Sequence, residues 1–323
     1  MTRSQVRHAA GAVLGLCLLA LALWVLRSEL KEYDKILEEL RRLAACHGAL
    51  AWALAMTVLA YLVLTGYDLL AMVWIGHRLG VGRTAFTAFL AYVFSNNIGM
   101  SVVGASAIRL RMYPRWGLSV MEVVKIVAFV AFTFWLGLLN IAGLTFLVQP
   151  IQLPHGWQRW LPWFETARPI GVLLLGVILV YILLCWRYRR PLRIFRRELP
   201  IPSARIAVAQ VAVGSVDWAL AGAIFYVLLH TLSPEVPMGA VMVAYFLAVV
   251  LGQASHSPGG LGVFELLLER MLSPFSVSNQ KVLAAALGYR LIYLILPLLV
   301  GIVCLGGHEL VQLHRLLFGR RRT

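Results

Sequence analysis

The sequence predicts an all-α polytopic membrane protein, and three observations support this fold class. Of its 323 residues, 61% are hydrophobic and 13% are charged, whereas soluble domains are about 25% charged. The mean hydropathy is +0.82. The apolar runs are long enough for helices of roughly 20 residues, the length that crosses a bilayer. This composition excludes a soluble multidomain protein and also a disordered chain, which would be poor in apolar residues.

The apolar runs define the predicted elements. We place them at about 11–26, 48–76, 84–104, 121–147, 169–186, 206–230, 237–254 and 281–306, with a shorter piece at 260–272. The first run is predicted to remain as a transmembrane helix, because a charged stretch follows it instead of a small-residue cleavage site. Residues 27–47 carry five basic and five acidic side chains, with leucines at helical spacing. They are predicted to form a periplasmic amphipathic connector.

The distribution of basic residues sets the topology. Seven arginines fall in 187–205, and 307–323 is also basic, so both segments are predicted to be cytoplasmic, as is the N-terminus. This orientation holds only if 84–104 enters the membrane and returns, and if 237–272 does the same from the opposite face. The prediction is therefore one integral membrane domain over 1–323. It has about six full transmembrane helices and two re-entrant or broken elements, related as an inverted repeat.

Charge and motifs exclude several other function classes. The formal net charge of +15 is explained by cytoplasmic loops and anionic lipid, so we expect no nucleic-acid partner. The four cysteines show no spacing typical of zinc, so we expect no metal and no other cofactor. No HExxH, GxSxG or Walker A motif is present. We expect no enzyme, although an intramembrane lipid-modifying activity stays open.

The candidate site consists of polar residues at membrane depth, where charged side chains are costly and are usually functional. Irregular backbone survives there only inside protein or beside a water-filled cavity. We expect Glu265 and Arg290 to pair. Residues predicted to bind the substrate are Asn96, Asn97, Arg109, Arg111, Tyr113, Ser257, Gly259, Gly260, Glu265 and Arg290. Those predicted to gate the path or take up protons are Glu265, Asp217 and Asp68.

The same residues carry a resemblance to a known family. They belong to the stretches Tyr67-Asp68-Leu69-Leu70, Ile108-Arg109-Leu110-Arg111-Met112-Tyr113, Ser257-Pro258-Gly259-Gly260-Leu261-Gly262-Val263-Phe264-Glu265 and Tyr289-Arg290-Leu291-Ile292-Tyr293. The chain resembles the transmembrane half of the bacterial lysylphosphatidylglycerol synthase/flippase proteins (MprF), and more closely the stand-alone YbhN-type inner-membrane proteins. The resemblance covers roughly 10–310. The cytoplasmic aminoacyl-transferase domain of the longer proteins is not expected in this chain.

The resemblance implies the lipid-moving part of that activity. We therefore expect a flippase or transporter of the bacterial inner membrane that binds a phospholipid, anionic or aminoacylated. In this hypothesis Arg109 and Arg111 engage the head group from the cytoplasmic side. Two alternatives stay open: a small-solute or ion transporter built on the same frame, and a non-transporting scaffold whose partner is a lipid-synthesis enzyme. The lipid species, the direction and coupling of transport, and the oligomeric state are not predicted.

Overall fold

The structure, a computed structural model, describes residues 33–98, 101–149, 166–188, 192–194, 197–199, 201–255 and 260–318. It confirms an all-α polytopic membrane protein. The helices are α1 (Tyr33–Ala45), α2 (His47–Ile75), α3 (Val81–Ile98), α4 (Ser101–Met112), α5 (Val120–Val148), α6 (Arg168–Arg187), α7 (Ala204–Leu232), α8 (Met238–Ala254), α9 (Val263–Leu272), α10 (Asn279–Tyr289) and α11 (Leu296–Phe318). Short 3₁₀ turns cover Tyr113–Trp116 and Ser273–Phe275, and a π-helical segment covers Arg290–Ile295.

Five stretches in the described part of the chain are long and apolar enough to cross a membrane: α2, α5, α6, α7 and the continuous helix Asn279–Leu310. They match five of the six full spans predicted from the sequence. The sixth, 11–26, lies outside the described residues. Close packing of these helices depends on glycine, as is common where helices approach within a membrane. A Cβ on Gly137 of α5 would lie 2.2 Å from the carbonyl carbon of Gly214 on α7.

The two elements predicted to be re-entrant are pairs of short helices. Helices α3 and α4 have 18 and 12 residues, and α8 and α9 have 17 and 10. Each is shorter than the roughly 20 residues that a span requires. Within each pair the two helices pack against each other, so each pair forms a helical hairpin. We call α3 with α4 the first hairpin and α8 with α9 the second hairpin.

The second hairpin turns through a glycine-rich bend. Gly260 and Gly262 have φ of +67° and +81°, a region in which other residues are strained. A Cβ on Gly252 of α8 would lie 3.5 Å from the Cα of Gly260, so the backbone after the bend approaches α8 closely. Residues 256–259, which precede Gly260 in the sequence, lie outside the described part of the chain. The glycines therefore allow α9 to fold back along α8.

Two peripheral elements flank the helices. Helix α1 is amphipathic: Leu43 is buried, whereas Glu38 and Arg42 are exposed and form an ion pair of 2.7 Å. It packs across α10, where a Cβ on Gly288 would lie 2.8 Å from the Leu43 side chain. Within the basic segment 187–205, Leu192–Ile194 and Arg197–Leu199 form a two-stranded antiparallel sheet. No strands were predicted for this segment from the sequence.

Candidate functional site

The two hairpins meet at one cavity of about 310 Å³. Helices α2, α5, α7 and α10 and the π segment complete its walls. Its polar lining residues are Ser95, Asn96, Arg109, Asp217, Gln253 and Arg290. Its aromatic lining residues are Tyr92, Phe134, Trp135, Trp218, Tyr245, Phe264, Tyr289 and Tyr293. The cavity therefore combines a few charged groups with mostly apolar walls, as ligand sites commonly do.

On the first hairpin, Arg109 is held by a buried ion pair. Its Nε and Nη2 donate to the Oδ2 and Oδ1 of Asp68 on α2, at 2.9 and 2.7 Å. The Tyr113 hydroxyl also donates to Asp68 Oδ2, at 2.5 Å. Arg109 and Asp68 are 1% and 0% exposed, and the guanidinium lies 4.9 Å from the ring centroid of Tyr92. Charge-assisted bidentate contacts of this kind fix both position and orientation.

On the second hairpin, the predicted pairing of Glu265 with Arg290 is present. Arg290 donates from Nε to Glu265 Oε1 at 2.7 Å, and its Nη2 lies 2.7 Å from the same oxygen. The other oxygen, Oε2, accepts from the backbone N–H of Gly262 at 2.9 Å. Glu265 thus caps the first turn of α9 and joins that turn to the long helix. The Arg290 guanidinium also lies 5.5 Å from the ring centroid of Phe264.

Each hairpin is therefore attached to a neighbouring helix by an arginine–carboxylate pair, but the two hairpins contribute side chains of opposite charge. The first hairpin contributes the arginine, and α2 contributes the carboxylate. The second hairpin contributes the carboxylate, and the long helix contributes the arginine. In each case the arginine faces the cavity, whereas neither Asp68 nor Glu265 belongs to the cavity lining.

A third carboxylate, Asp217 on α7, faces the cavity directly. It is 5% exposed, and its Oδ2 accepts from the Tyr67 hydroxyl at 2.9 Å. Among the described residues, its Oδ1 has no hydrogen-bond partner. Leaving a buried polar atom without a partner costs free energy, so this oxygen can accept a hydrogen bond from a ligand in the cavity.

The asparagines have separate roles. Asn96 lines the cavity. Asn97 instead donates to two backbone carbonyls, that of Val93 at 2.8 Å and that of Leu294 in the π segment at 3.3 Å. Gly260 lines the cavity at the bend of the second hairpin. Ser257 and Gly259 lie outside the described residues.

Arg111 was expected to act together with Arg109, but the structure separates them. Arg111 lies outside the cavity lining, with its side chain half exposed, and its Nη2 is 2.8 Å from Glu309 Oε1 on α11. The two arginines are two positions apart on α4 and therefore point in different directions. Arg111 ties the first hairpin to α11 at the protein surface.

Of the buried tyrosines, only Tyr113 was predicted from the sequence, and it binds Asp68 outside the cavity lining. Tyr67, Tyr92 and Tyr245 are buried, and Tyr245 shares a hydrogen bond of 2.8 Å with the Tyr289 hydroxyl. The sequence signal that could have identified the others is a tyrosine within an apolar helix, because a buried hydroxyl usually requires a hydrogen-bond partner. In the part of the chain that the structure describes, no group of three His, Cys, Asp or Glu could hold a metal ion.

Comparison with known proteins decides the family. The family described as "Lysylphosphatidylglycerol synthase TM region" matches residues 9–301. The chain belongs to this family. It is 38% identical over 316 residues to an uncharacterized protein of Synechocystis sp., covering 96% of this chain and 95% of that protein.

Two further relatives show the range of the family. The chain is 31% identical over 287 residues to the inner membrane protein YbhN of Escherichia coli, covering 88% of this chain and 86% of YbhN. It is 20% identical over 246 residues to the phosphatidylglycerol lysyltransferase of Staphylococcus xylosus, covering 75% of this chain but 27% of that enzyme. The resemblance found from the motifs is therefore confirmed.

Proposed function

We propose that this protein binds the head group of a phospholipid in the cavity between its two hairpins and moves the lipid between leaflets. The observation that carries the proposal is that both hairpins line one cavity, which presents two arginines and a carboxylate among aromatic walls. Broken helices that meet at one site are typical of transporters with inverted repeats. Acyl tails would remain in the bilayer, since burying them in the protein would gain little.

The side chains suit a phosphate-containing head group. Arg109 and Arg290 face the cavity from opposite hairpins, and guanidinium groups are well matched to phosphate oxygens. Asn96 and Gln253 add amide groups that can donate to or accept from glycerol hydroxyls or an amine. Both arginines already have carboxylate partners, so a phosphate binds by sharing them. Such binding is reversible, as transport requires.

Asp217 supplies the acceptor in this proposal. Its Oδ1 receives a hydroxyl or amine donor of the head group, or exchanges a proton during the transport cycle. Asp68 acts indirectly, because its oxygens are committed to Arg109 and Tyr113. Glu265 likewise acts through Arg290. Of the three residues predicted from the sequence to gate the path or take up protons, Asp217 therefore has the direct role in this proposal.

The relatives support the lipid class and the compartment. One relative is named an inner membrane protein and another a phosphatidylglycerol lysyltransferase. We place the present protein in the bacterial inner membrane with both termini cytoplasmic, as its arginine distribution favours. We propose that it acts on an anionic or aminoacylated phospholipid as a transporter without cofactor, and not as an enzyme.

The proposal is tested by lipid translocation in proteoliposomes. Fluorescent phosphatidylglycerol and phosphatidylethanolamine are compared, with and without a pH gradient, using dithionite to quench lipid in the outer leaflet. The wild type is expected to expose inner-leaflet lipid, and Arg290→Ala is expected to lose this activity. Arg270→Ala is the matched control, because this exposed arginine lies on α9 and outside the cavity lining. The absence of translocation by folded wild type under any gradient would refute autonomous transport.

A further inference from the structure

The long helix Asn279–Leu310 is interrupted by a π-helical segment just where Arg290 enters the cavity wall. The N–H of Leu296 donates to the carbonyl of Leu291, five residues back, instead of four as in an α-helix. Segments of this kind are rare and are often found at functional sites. Something must hold this one in place, since ordinary α-helical winding is the more stable alternative.

The sequence provides one reason for the interruption. Pro297 has no backbone N–H, so the carbonyl of Tyr293, four residues earlier, cannot receive its usual helical bond. The Tyr61 hydroxyl on α2 donates to this carbonyl instead, at 3.2 Å. The Asn97 amide on the first hairpin donates to the next carbonyl, that of Leu294, at 3.3 Å. Two side chains from outside the helix therefore bind consecutive carbonyls of the π segment.

The two hairpins are attached to the long helix at different points. The second hairpin binds the start of the segment through Glu265 and Arg290. The first hairpin binds the helix beyond it: a Cβ on Gly301 would lie 2.9 Å from the Val93 side chain of α3. The Arg111 contact to α11 lies farther along the same helix. The second hairpin thus binds the start of the π segment, whereas the first hairpin binds Leu294 within it and α11 beyond it.

We infer that Tyr61 and Asn97 are positioning residues that hold a hinge at Arg290–Ile295, and that release of this hinge separates the two hairpins. When the π turn converts to α-helix, the turn contains one residue fewer and that residue joins the regular helix. The helices before and after the turn then rotate relative to each other by about 100° and shift along their axis by about 1.5 Å. Helix α10 is largely buried, whereas Leu299, Val300 and Val303 of α11 are exposed. The part that turns is therefore α11, and the first hairpin, which Asn97, Val93 and Arg111 join to this helix, shifts with it as far as the Arg109–Asp68 pair to α2 allows.

This inference deepens the proposed function, because the separation would open the cavity to which the lipid head group is assigned. Tyr61 does not line the cavity, and the Asn97 amide bonds to backbone carbonyls. Their effect is exerted through the position of Arg290 and its helix. A purely structural role would change stability and leave the relative positions of the hairpins unaltered.

The test measures a distance across the hinge. Spin labels are placed at Leu266 on α9 and Val303 on α11, which are 52% and 73% exposed, in a protein whose four native cysteines are replaced by alanine. Pulsed electron paramagnetic resonance in nanodiscs then gives the distribution of label distances. Asn97→Ala and Tyr61→Phe are each expected to add a second distance population, displaced by several ångströms from that of the parent protein.

Two variants make the same chemical changes elsewhere. Asn140→Ala removes an amide that donates to Ser215 between α5 and α7, at 2.9 Å. Tyr226→Phe removes a hydroxyl that contacts His230 on its own helix, at 3.3 Å. Neither is expected to change the distance distribution.

Pro297→Ala tests the hinge by favouring the α-helical state while Tyr61 and Asn97 are left in place. It restores an N–H that can bond to the Tyr293 carbonyl, and should therefore favour the second population while Tyr61 is still present. The hinge would be overturned if Pro297→Ala left the distance distribution unchanged and if Asn97→Ala and Tyr61→Phe, where they fold, did so as well. This holds whatever the melting temperatures of the variants. Because no lipid movement is measured, this result would leave the translocation assay as a separate test of the proposed function.

Discussion

The substitution Asp68→Asn tests whether Arg109 is held as a buried charge. The substitution keeps the size of the side chain but removes the negative charge that faces Nε and Nη2 of Arg109. Both residues are almost completely buried, at 0% and 1% exposure. Removing one partner of a buried ion pair costs about 3–5 kcal/mol, because the remaining charge has no compensation. We expect a loss of this size in the free energy of unfolding.

The loss can be measured by steric trapping in bicelles, with Glu38→Gln as the control. Glu38 pairs with Arg42 at 2.7 Å, but both side chains are about 60% exposed, and such surface pairs contribute little. We also expect Asp68→Asn combined with Arg109→Gln to be less destabilising than the sum of the two single changes. Asp68→Asn with the stability of the wild type, or strict additivity in the double variant, would refute a charge held by its partner.

Three further predictions concern packing and the cavity. Glu265→Gln should lower the free energy of unfolding by about 1.5–3 kcal/mol. This loss is smaller than that of Asp68→Asn because the Glu265–Arg290 pair is partly exposed, and an equal or larger loss would contradict this ranking. Gly137→Ala should cost about 1–3 kcal/mol, since its Cβ would overlap the α7 backbone. Gly176→Ala, with open space around it, should not lower the melting temperature, and equal losses in the two variants would contradict the close helix crossing. Ala105→Phe should fill the cavity and slow translocation several-fold in proteoliposomes with little change in melting temperature, and full activity would argue against this path.

Much of the architecture could be predicted from the free-energy cost of placing charged groups and unpaired backbone in a membrane. Charges within apolar runs must be paired or face a wet cavity, and this rule identified Glu265 and Arg290 as partners before any geometry was known. The arginine-rich segments were predicted to lie on the same, cytoplasmic side of the membrane, so the chain must cross an even number of times between them. This condition is met only if two elements enter the membrane and return, and these are the two hairpins. These arguments succeed because the bilayer imposes a strong and simple constraint on the chain.

Other features depend on packing that sequence spacing does not reveal. Asp68 and Arg109 are 41 positions apart, on helices whose relative rotation is set by the whole bundle. The sequence therefore offered Arg109 as a ligand for lipid but gave no sign of its carboxylate partner. Arg111 was assigned to the same role because of its guanidinium group, and no helix was predicted over 105–112; on a helix, side chains two positions apart point in different directions.

The π segment shows a similar limit. Pro297 indicates that one carbonyl loses its helical donor, and this much can be read from the sequence. It does not indicate that Tyr61 and Asn97 supply the replacements, because both lie on other helices. The mutual placement of the two hairpins around one cavity could not be predicted from the sequence either, since it depends on the three-dimensional packing of eight helices and the π segment.

The most direct test of a head-group site between the hairpins is photo-crosslinking with a phospholipid that carries a diazirine in its head group. After reconstitution and illumination, peptide mass spectrometry locates the attached lipid. We predict adducts on cavity residues such as Trp135, Gln253 and Tyr289, and their loss in Ala105→Phe. Adducts confined to the exposed face of α6, with none on the cavity lining, would contradict a head-group site between the hairpins.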